Sequence, residues 1–127
     1  MPTIRWLDHV NIRTANLEAL VRFYEDVIGL KSGTRPPLGF PGAWMYAGER
    51  AVIHLVGVAE QPQPQGALRL EHFALAGSRL SELKGRLKER AVPYDESRQP
   101  GTGNVIINLK DPDGNRLHID FAGSEAG

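Results

Sequence analysis

The chain carries four histidines, at positions 9, 54, 72 and 118, and their spacing repeats. His54 follows His9 by 45 residues and His118 follows His72 by 46. Each lies in a segment that reads as an extended strand, His9 and His72 in the first strand of each half and His54 and His118 in the last. Neutral imidazole is a ligand for Zn, Ni, Fe, Co or Cu, so four imidazoles converging in a cleft would hold a divalent ion. The alternative is four unrelated histidines, each hydrogen-bonded in a core or on a surface. It requires every histidine of the chain to fall at matched positions by coincidence, and the metal reading is preferred. There is no cysteine, which excludes disulfide frameworks, thiolate zinc sites and cysteine nucleophiles together.

Other residues fall on the same faces. Arg13 shares a strand face with His9 and can clamp a carboxylate or phosphate bidentately; the alternative is a surface arginine at a strand end. Asn108 interrupts the apolar run Val-Ile-Ile-Asn-Leu, and a polar amide in a buried strand needs a partner, either a substrate in the cleft or a neighbouring loop. Asp120 shares a face with His118 as a base or an orienting group, or else as a solvated carboxylate. Trp44 and Tyr46 share a face and can wall a pocket or pack in the core.

The elements that position these residues occur twice in the same order. Alternation over Leu7–Arg13 predicts a strand with His9, Asn11 and Arg13 on one face. A helix follows, capped by Asn16, carrying Leu17, Leu20, Val21, Tyr24 and Ile28 at helical spacing and ending at Gly29. Extended segments are predicted over 30–35, 43–47 and 51–56. Between them, the loop Thr34–Ala43 is rich in Pro and Gly and either forms a lid carrying Phe40 or is an ordinary long connection. The Gln61–Gly66 stretch, with Pro62 and Pro64, reads as an extended linker. The pattern then restarts: a strand over 70–76, a helix capped by Ser78 or Ser81 with the stripe Leu80, Leu83 and Leu87, weakened by Gly85, and strands over 94–97, 105–109 and 116–121. Asp-Pro-Asp-Gly-Asn joins the last two as a turn, and the tail 123–127 is expected to fray. Each module is too small to hide its sheet face alone, so two modules packed together, helices on one side, are expected.

A chain of 127 residues suits one compact domain, here 1–127, with module 1 about 5–57, a linker about 58–67 and module 2 about 68–122. Fifteen basic and fifteen acidic residues leave no net charge, so there is no basic excess to attract nucleic acid. The opening Met-Pro-Thr-Ile-Arg-Trp-Leu-Asp lacks the pattern of a secretory signal, and no apolar run is long enough to span a membrane. A cytoplasmic protein is expected, with a small-molecule substrate and neither nucleic-acid nor membrane partners.

The motifs resemble a known family. Leu-Asp-His-Val-Asn-Ile-Arg-Thr at 7–14, Phe-Tyr-Glu-Asp-Val-Ile-Gly-Leu at 23–30 and Asp-Pro-Asp-Gly-Asn-Arg-Leu-His at 111–118 are similar to the vicinal oxygen chelate superfamily of glyoxalase, bleomycin-resistance and extradiol dioxygenase proteins. The resemblance implies an α+β fold of paired βαβββ modules forming a cupped mixed sheet with helices on the outer side. It also implies a divalent metal and, as in many small members, a homodimer. By similarity His9 and His72 match recurrent histidine ligands, whereas His54 and His118 stand where glyoxalase I has glutamates. Arg13 matches an arginine that binds glutathione in small glyoxalases, but Val58 replaces a glutathione-holding asparagine.

A coordinated imidazole has no lone pair left to take a proton, which counts against glyoxalase I itself. The resemblance implies a divalent-metal-dependent lyase or isomerase of the glyoxalase type, acting on a small oxygen-chelating substrate. Its metal is Zn, Ni, Fe or Co, with metal ligands His9, His54, His72 and His118, substrate contacts Arg13, Trp44, Tyr46 and Asn108, and Asp120 as the candidate base. The alternatives are a ring-cleaving extradiol-type dioxygenase and a metal-free small-molecule binding or resistance protein.

Overall fold

The computed structural model describes residues 2–63 and 66–126. Its chain divides into two compact units, Met1–Gln63 and Pro64–Gly127. The first contains β1 (Val10–Thr14), α1 (Leu17–Phe23, continued by a π-helical turn over Tyr24–Ile28), β2 (Lys31–Gly33), β3 (Gly42–Ala47) and β4 (Arg50–Gly57). The second contains β5 (Phe73–Ala76), α2 (Leu80–Glu89), β6 (Asp95–Arg98), β7 (Val105–Lys110), β8 (Arg116–Phe121) and a short 3-10 turn, Gly123–Glu125. The predicted strand–helix–three-strand order is present in both.

Each unit forms an open four-stranded mixed sheet, ordered β1-β4-β3-β2 in the first and β5-β8-β7-β6 in the second. The first strand of each pairs parallel with the last, and the remaining pairs are antiparallel. The fold is α+β, as the sequence indicated.

Alternation along the strands assigns the faces. Met45, Ile53 and Leu55 are buried together with Leu20, Phe23, Tyr24 and Val27 of the helical segment. In the second unit Val105, Ile107, Leu109, Leu117, Ile119 and Phe121 are buried, as is the α2 stripe Leu80, Leu83 and Leu87. One sheet face in each unit is thus the helix-covered core, which leaves the opposite face to polar and aromatic side chains. Gly29, in the left-handed region at φ 93°, ends the first helical run as predicted, and Gly29 and Leu30 both donate to the Tyr24 carbonyl.

The first strands are shorter than their alternation suggests. The strand predicted over 7–13 runs from Val10 to Thr14, its pairing with β4 starting at Ile53; Leu7 remains 75% exposed. Likewise β5 begins at Phe73, and Leu70 lies outside it. His9 and His72 therefore stand one residue ahead of their strands, still in phase with the open face.

Capping differs too. Asn16 is at the N-cap of α1 but makes no side-chain capping bond; the buried Thr14 hydroxyl accepts the Asn16 amide at 2.8 Å instead. Neither Ser78 nor Ser81 caps α2, whose N-cap is Arg79 in the left-handed region. The Leu80 amide donates to Glu125 Oε1 at 2.8 Å, so the tail is tied to the helix through residue 125 rather than frayed.

The turn at 111–115 forms as expected. Buried Asp111 accepts the amides of Asp113 and Asn115 through Oδ1, at 3.0 and 2.9 Å, and the Asn115 side-chain amide through Oδ2. Pro64 and Gln65 of the expected linker, and Gly127 of the tail, lie outside the described residues. Among those residues no helix is long and apolar enough to cross a membrane.

Candidate functional site

On the open face of the first sheet, register places Asn11, His54 and Trp44 in one row across β1, β4 and β3. The His9 ring stacks on His54 with centroids 3.7 Å apart and planes at 11°, and His54 stacks on Trp44 at 4.0 Å and 11°. Strand spacing of about 4.8 Å brings register partners such as His54 and Trp44 to roughly this separation, whereas His9, two residues before the His54 partner Asn11, reaches His54 diagonally from just ahead of β1. Tyr46 lies over Gly33, where a Cβ would come within 2.9 Å of its ring, and its hydroxyl donates to the Thr34 carbonyl.

The second unit repeats the imidazole pair. His72 stacks on His118 at 3.9 Å and 18°, and the register partner of His118 on β7 is Asn108. Asp120 is two residues along from His118 on the same face, and its Oδ1 is buried with no hydrogen-bond partner among the described residues.

Each first-strand histidine is held by the acid before it. Asp8 Oδ2 lies 2.8 Å from His9 Nδ1, and Glu71 Oε2 lies 2.5 Å from His72 Nδ1. These hydrogen bonds are the main reason that both carboxyls titrate below their ordinary values. An ionised carboxylate only accepts, so each Nδ1 carries the proton and donates it. In a neutral ring, Nε2 then has the free lone pair. Glu71 is also 3.4 Å from Arg116 Nη1.

The second histidine of each pair is biased toward its neutral form. Burial lowers the His54 pKa first, and the neighbouring His9 adds to this; a hydrogen bond with the Ala51 backbone and the Asp8 charge oppose it only in part. Burial likewise lowers His118, followed by the effect of His72, against Asp120 and Glu71.

A cavity of about 310 Å³ opens beside His54, with Trp44, Tyr46 and Ala51 along the sheet and Trp6 and Arg50 at its rim. A register shift between Met45 and Tyr46 pairs Tyr46 with Ala51 and leaves Val52 as the extra residue of β4. This bulge turns both paired residues toward the cavity. The Arg50 guanidinium lies 4.0 Å from the centre of the Trp6 ring.

The structure thus gathers His9, His54, Trp44 and Tyr46 in one unit, and His72, His118, Asn108 and Asp120 in the other. Arg13 is exposed on the open face opposite Val56, one row from His54, and does not line the cavity. Phe40 is 44% exposed and braced by Arg35, which lies over its ring at 5.1 Å and donates to its carbonyl at 3.0 Å. The 34–41 connection is further pinned where the Gly57 amide meets the Pro41 carbonyl.

The donor chemistry fits a divalent ion: His54 and His118 biased toward the neutral form, and the Nδ1–H groups of His9 and His72 tied to carboxylates in the manner of outer-shell partners. Orientation sets a condition. Lone pairs lie in the ring planes, so two parallel stacked rings cannot both aim at one ion, and coordination by both members of a pair requires one ring to turn about its Cβ–Cγ bond. Among the described residues, no three His, Cys, Asp or Glu side chains are grouped to hold a metal.

Sequence reasoning missed Asp8 and Glu71, although the signal was present: an acid directly precedes the first-strand histidine in both halves. It also missed Trp6 and Arg50, which come together only through the N-terminal segment and the β3–β4 turn.

The sequence profile of the glyoxalase/bleomycin resistance protein/dioxygenase superfamily matches residues 6–119. No curated protein matches the chain. Among solved structures, a protein assigned to the glyoxalase family from Bacillus anthracis superposes with a TM-score of 0.78 at 21% identity, covering 96% of this chain and 98% of the other. A glyoxylase/bleomycin resistance protein/dioxygenase domain from Frankia sp. EAN1pec gives 0.77 at 16% identity, with coverage of 94% and 99%. Lactoylglutathione lyase from Agrobacterium tumefaciens gives 0.67 at 22% identity, with coverage of 99% and 98%. These structural likenesses concern the fold.

Proposed function

Because the chain belongs to the glyoxalase/bleomycin resistance protein/dioxygenase superfamily, we propose that it is a divalent-metal-dependent lyase or isomerase of the glyoxalase type, acting on a small oxygen-chelating substrate. The observation that supports this reading is the acid–imidazole–imidazole array, Asp8–His9–His54 in one unit and Glu71–His72–His118 in the other. The four histidines are the proposed ligands of Zn, Ni, Fe or Co.

A bound divalent ion supplies Lewis-acid stabilisation of a developing oxyanion. The chain's own residues do the rest. The carboxylates of Asp8 and Glu71 fix the rings of His9 and His72 with Nε2 free. Asp120 Oδ1, without a partner among the described residues, accepts a proton from the substrate carbon. Asn108, opposite His118, donates its amide to a substrate oxygen, Arg13 clamps an acidic substituent, and Trp44 and Tyr46 wall the pocket. With imidazoles at 54 and 118 in place of carboxylates, and Val58 in place of an asparagine, the hemithioacetal of methylglyoxal and glutathione is a poor substrate.

The parallel stacking of the rings favours a second reading, a metal-free binding protein. Elemental analysis of freshly purified protein decides: stoichiometric metal supports the enzyme, whereas none present and none taken up on incubation supports the binder. Oxygen consumption with a catechol panel separates the lyase from a ring-cleaving dioxygenase, for which Asp120 would have to supply the carboxylate ligand. The same reading makes the protein a cytoplasmic homodimer, expected at about twice 14.0 kDa by light scattering.

A further inference from the structure

Both tryptophans of the chain line the cavity beside His54. Trp44 forms the outer ring of the stacked column, and Trp6, 48% exposed, comes from the irregular segment before β1. The cavity, about 310 Å³, is large enough for a six-membered ring with a substituent.

The second unit has the imidazole array without these aromatic side chains. Asn108 stands at the register position of Trp44. Lys110, two residues further along β7, takes the place of Tyr46. Arg69, three residues before His72, takes that of Trp6, three residues before His9. The β7–β8 register runs from Val105–Phe121 to Lys110–Arg116 without the bulge that turns Tyr46 and Ala51. The shared array is therefore built without aromatic walls, and the walls of the first unit serve another purpose.

Charge narrows what that purpose is. The lining contains Asp8 and Glu49 and one guanidinium, that of Arg50, which lies 4.0 Å over the Trp6 ring and acts on Asp8, itself held by His9, so that Glu49 is the carboxylate left to meet a ligand. Glu49 makes no ion pair among the described residues. Arg50 itself is a planar cation seated on the ring, and Arg5 lies over the same indole at 4.5 Å. The face of Trp44 away from His54 and the Glu49 carboxylate favour a planar cation.

Building on the function proposed above, we infer that this cavity is a specificity pocket for a planar, positively charged ring of the substrate, bounded by Trp6 and Trp44 and selected by Glu49. Its occupant lies beside His54, so the ring end of the substrate sets the position of the reacting end.

The test is a fluorescence titration of the full chain, whose two tryptophans both report on the pocket, with benzamidinium, benzoate and cyclohexylammonium as probes. It is run with added Zn(II) and with chelator. Benzamidinium is expected to quench saturably and to bind about tenfold or more tighter than either the planar anion or the non-planar cation. Trp6→Leu should weaken benzamidinium binding about tenfold, read from the remaining Trp44, and Glu49→Gln should narrow its advantage over benzoate. Equal binding of the three probes, or benzamidinium binding unchanged in both variants, overturns the inference. Should Trp6→Leu not fold, the exposed Glu49→Gln decides alone. Saturable quenching in chelator by a protein that takes up no metal would leave the pocket standing and remove the metal enzyme; uptake of metal without ring selectivity would do the reverse.

Discussion

In the first unit His54 has an aromatic ring on either side, His9 at 3.7 Å and Trp44 at 4.0 Å; in the second, His118 stacks on His72 at 3.9 Å and faces Asn108 in place of the indole. Strand order, pairing directions and the acid before the first histidine are common to both. The backbone ladder therefore fixes where the imidazoles stand, and the side chain in the next strand decides what surrounds them. One copy is walled by rings and opens on a cavity. The other is polar, with Asn108, Asp120 and the Arg116–Glu71 pair around it.

The largest effects should fall on the face that the two units share. Ile53 and Leu117 are fully buried on the helix-covered faces, and Ile53→Ala and Leu117→Ala should each cost about 2–5 kcal/mol in denaturant unfolding. A much smaller loss in one unit would break the equivalence of their cores.

The outer carboxylates come next. Asp8→Asn and Glu71→Gln keep the shape but weaken the hold on Nδ1, and each should reduce Zn(II) affinity by about 10–100-fold in a calorimetric titration. Loss in only one variant would restrict the metal function to one unit.

A smaller effect separates the helices. Gly85 lies on α2 with open space where its Cβ would be, so Gly85→Ala should stabilise the protein by about 0.5–1 kcal/mol, measured as a rise in the denaturant midpoint.

The smallest concerns pH. Burial holds His54 and His118 below the ordinary 6.5, so folding favours their neutral forms. The resulting stability is fully present above 6.5 and is lost as pH falls from there through the lower folded values. Both rings are partly exposed, which keeps the effect modest. His54→Asn and His118→Asn should each flatten the fall in stability below pH 6.5; an unchanged profile in both would show that other groups carry it.

Much of this was legible in the sequence. Turn chemistry placed the turn at Asp111–Asn115, and periodicity placed the elements and the faces of His54, Trp44, Asn108, His118 and Asp120, because alternation records which side of a sheet is buried. It did not record partners. Residues 7–9 alternate like a strand, but the ladder with β4 begins only at Val10 and Ile53, so β1 begins later. The caps depend on Thr14 and on Glu125, 45 residues from Leu80, rather than on the serines nearest the helix. Trp6, Glu49 and Arg50 meet through a turn and a bulge, neither of which a period of two reveals.

The central claim is that each acid-held histidine presents Nε2 as a metal ligand. Long-range proton–nitrogen correlation spectra of the imidazoles, recorded at pH 7.5 before and after addition of Zn(II), test it most directly. The account predicts the Nδ1–H tautomer for His9 and His72 in the free protein and a coordination shift at their Nε2 when zinc is added. Protonated Nε2 in both rings, or nitrogen shifts indifferent to zinc, would contradict it.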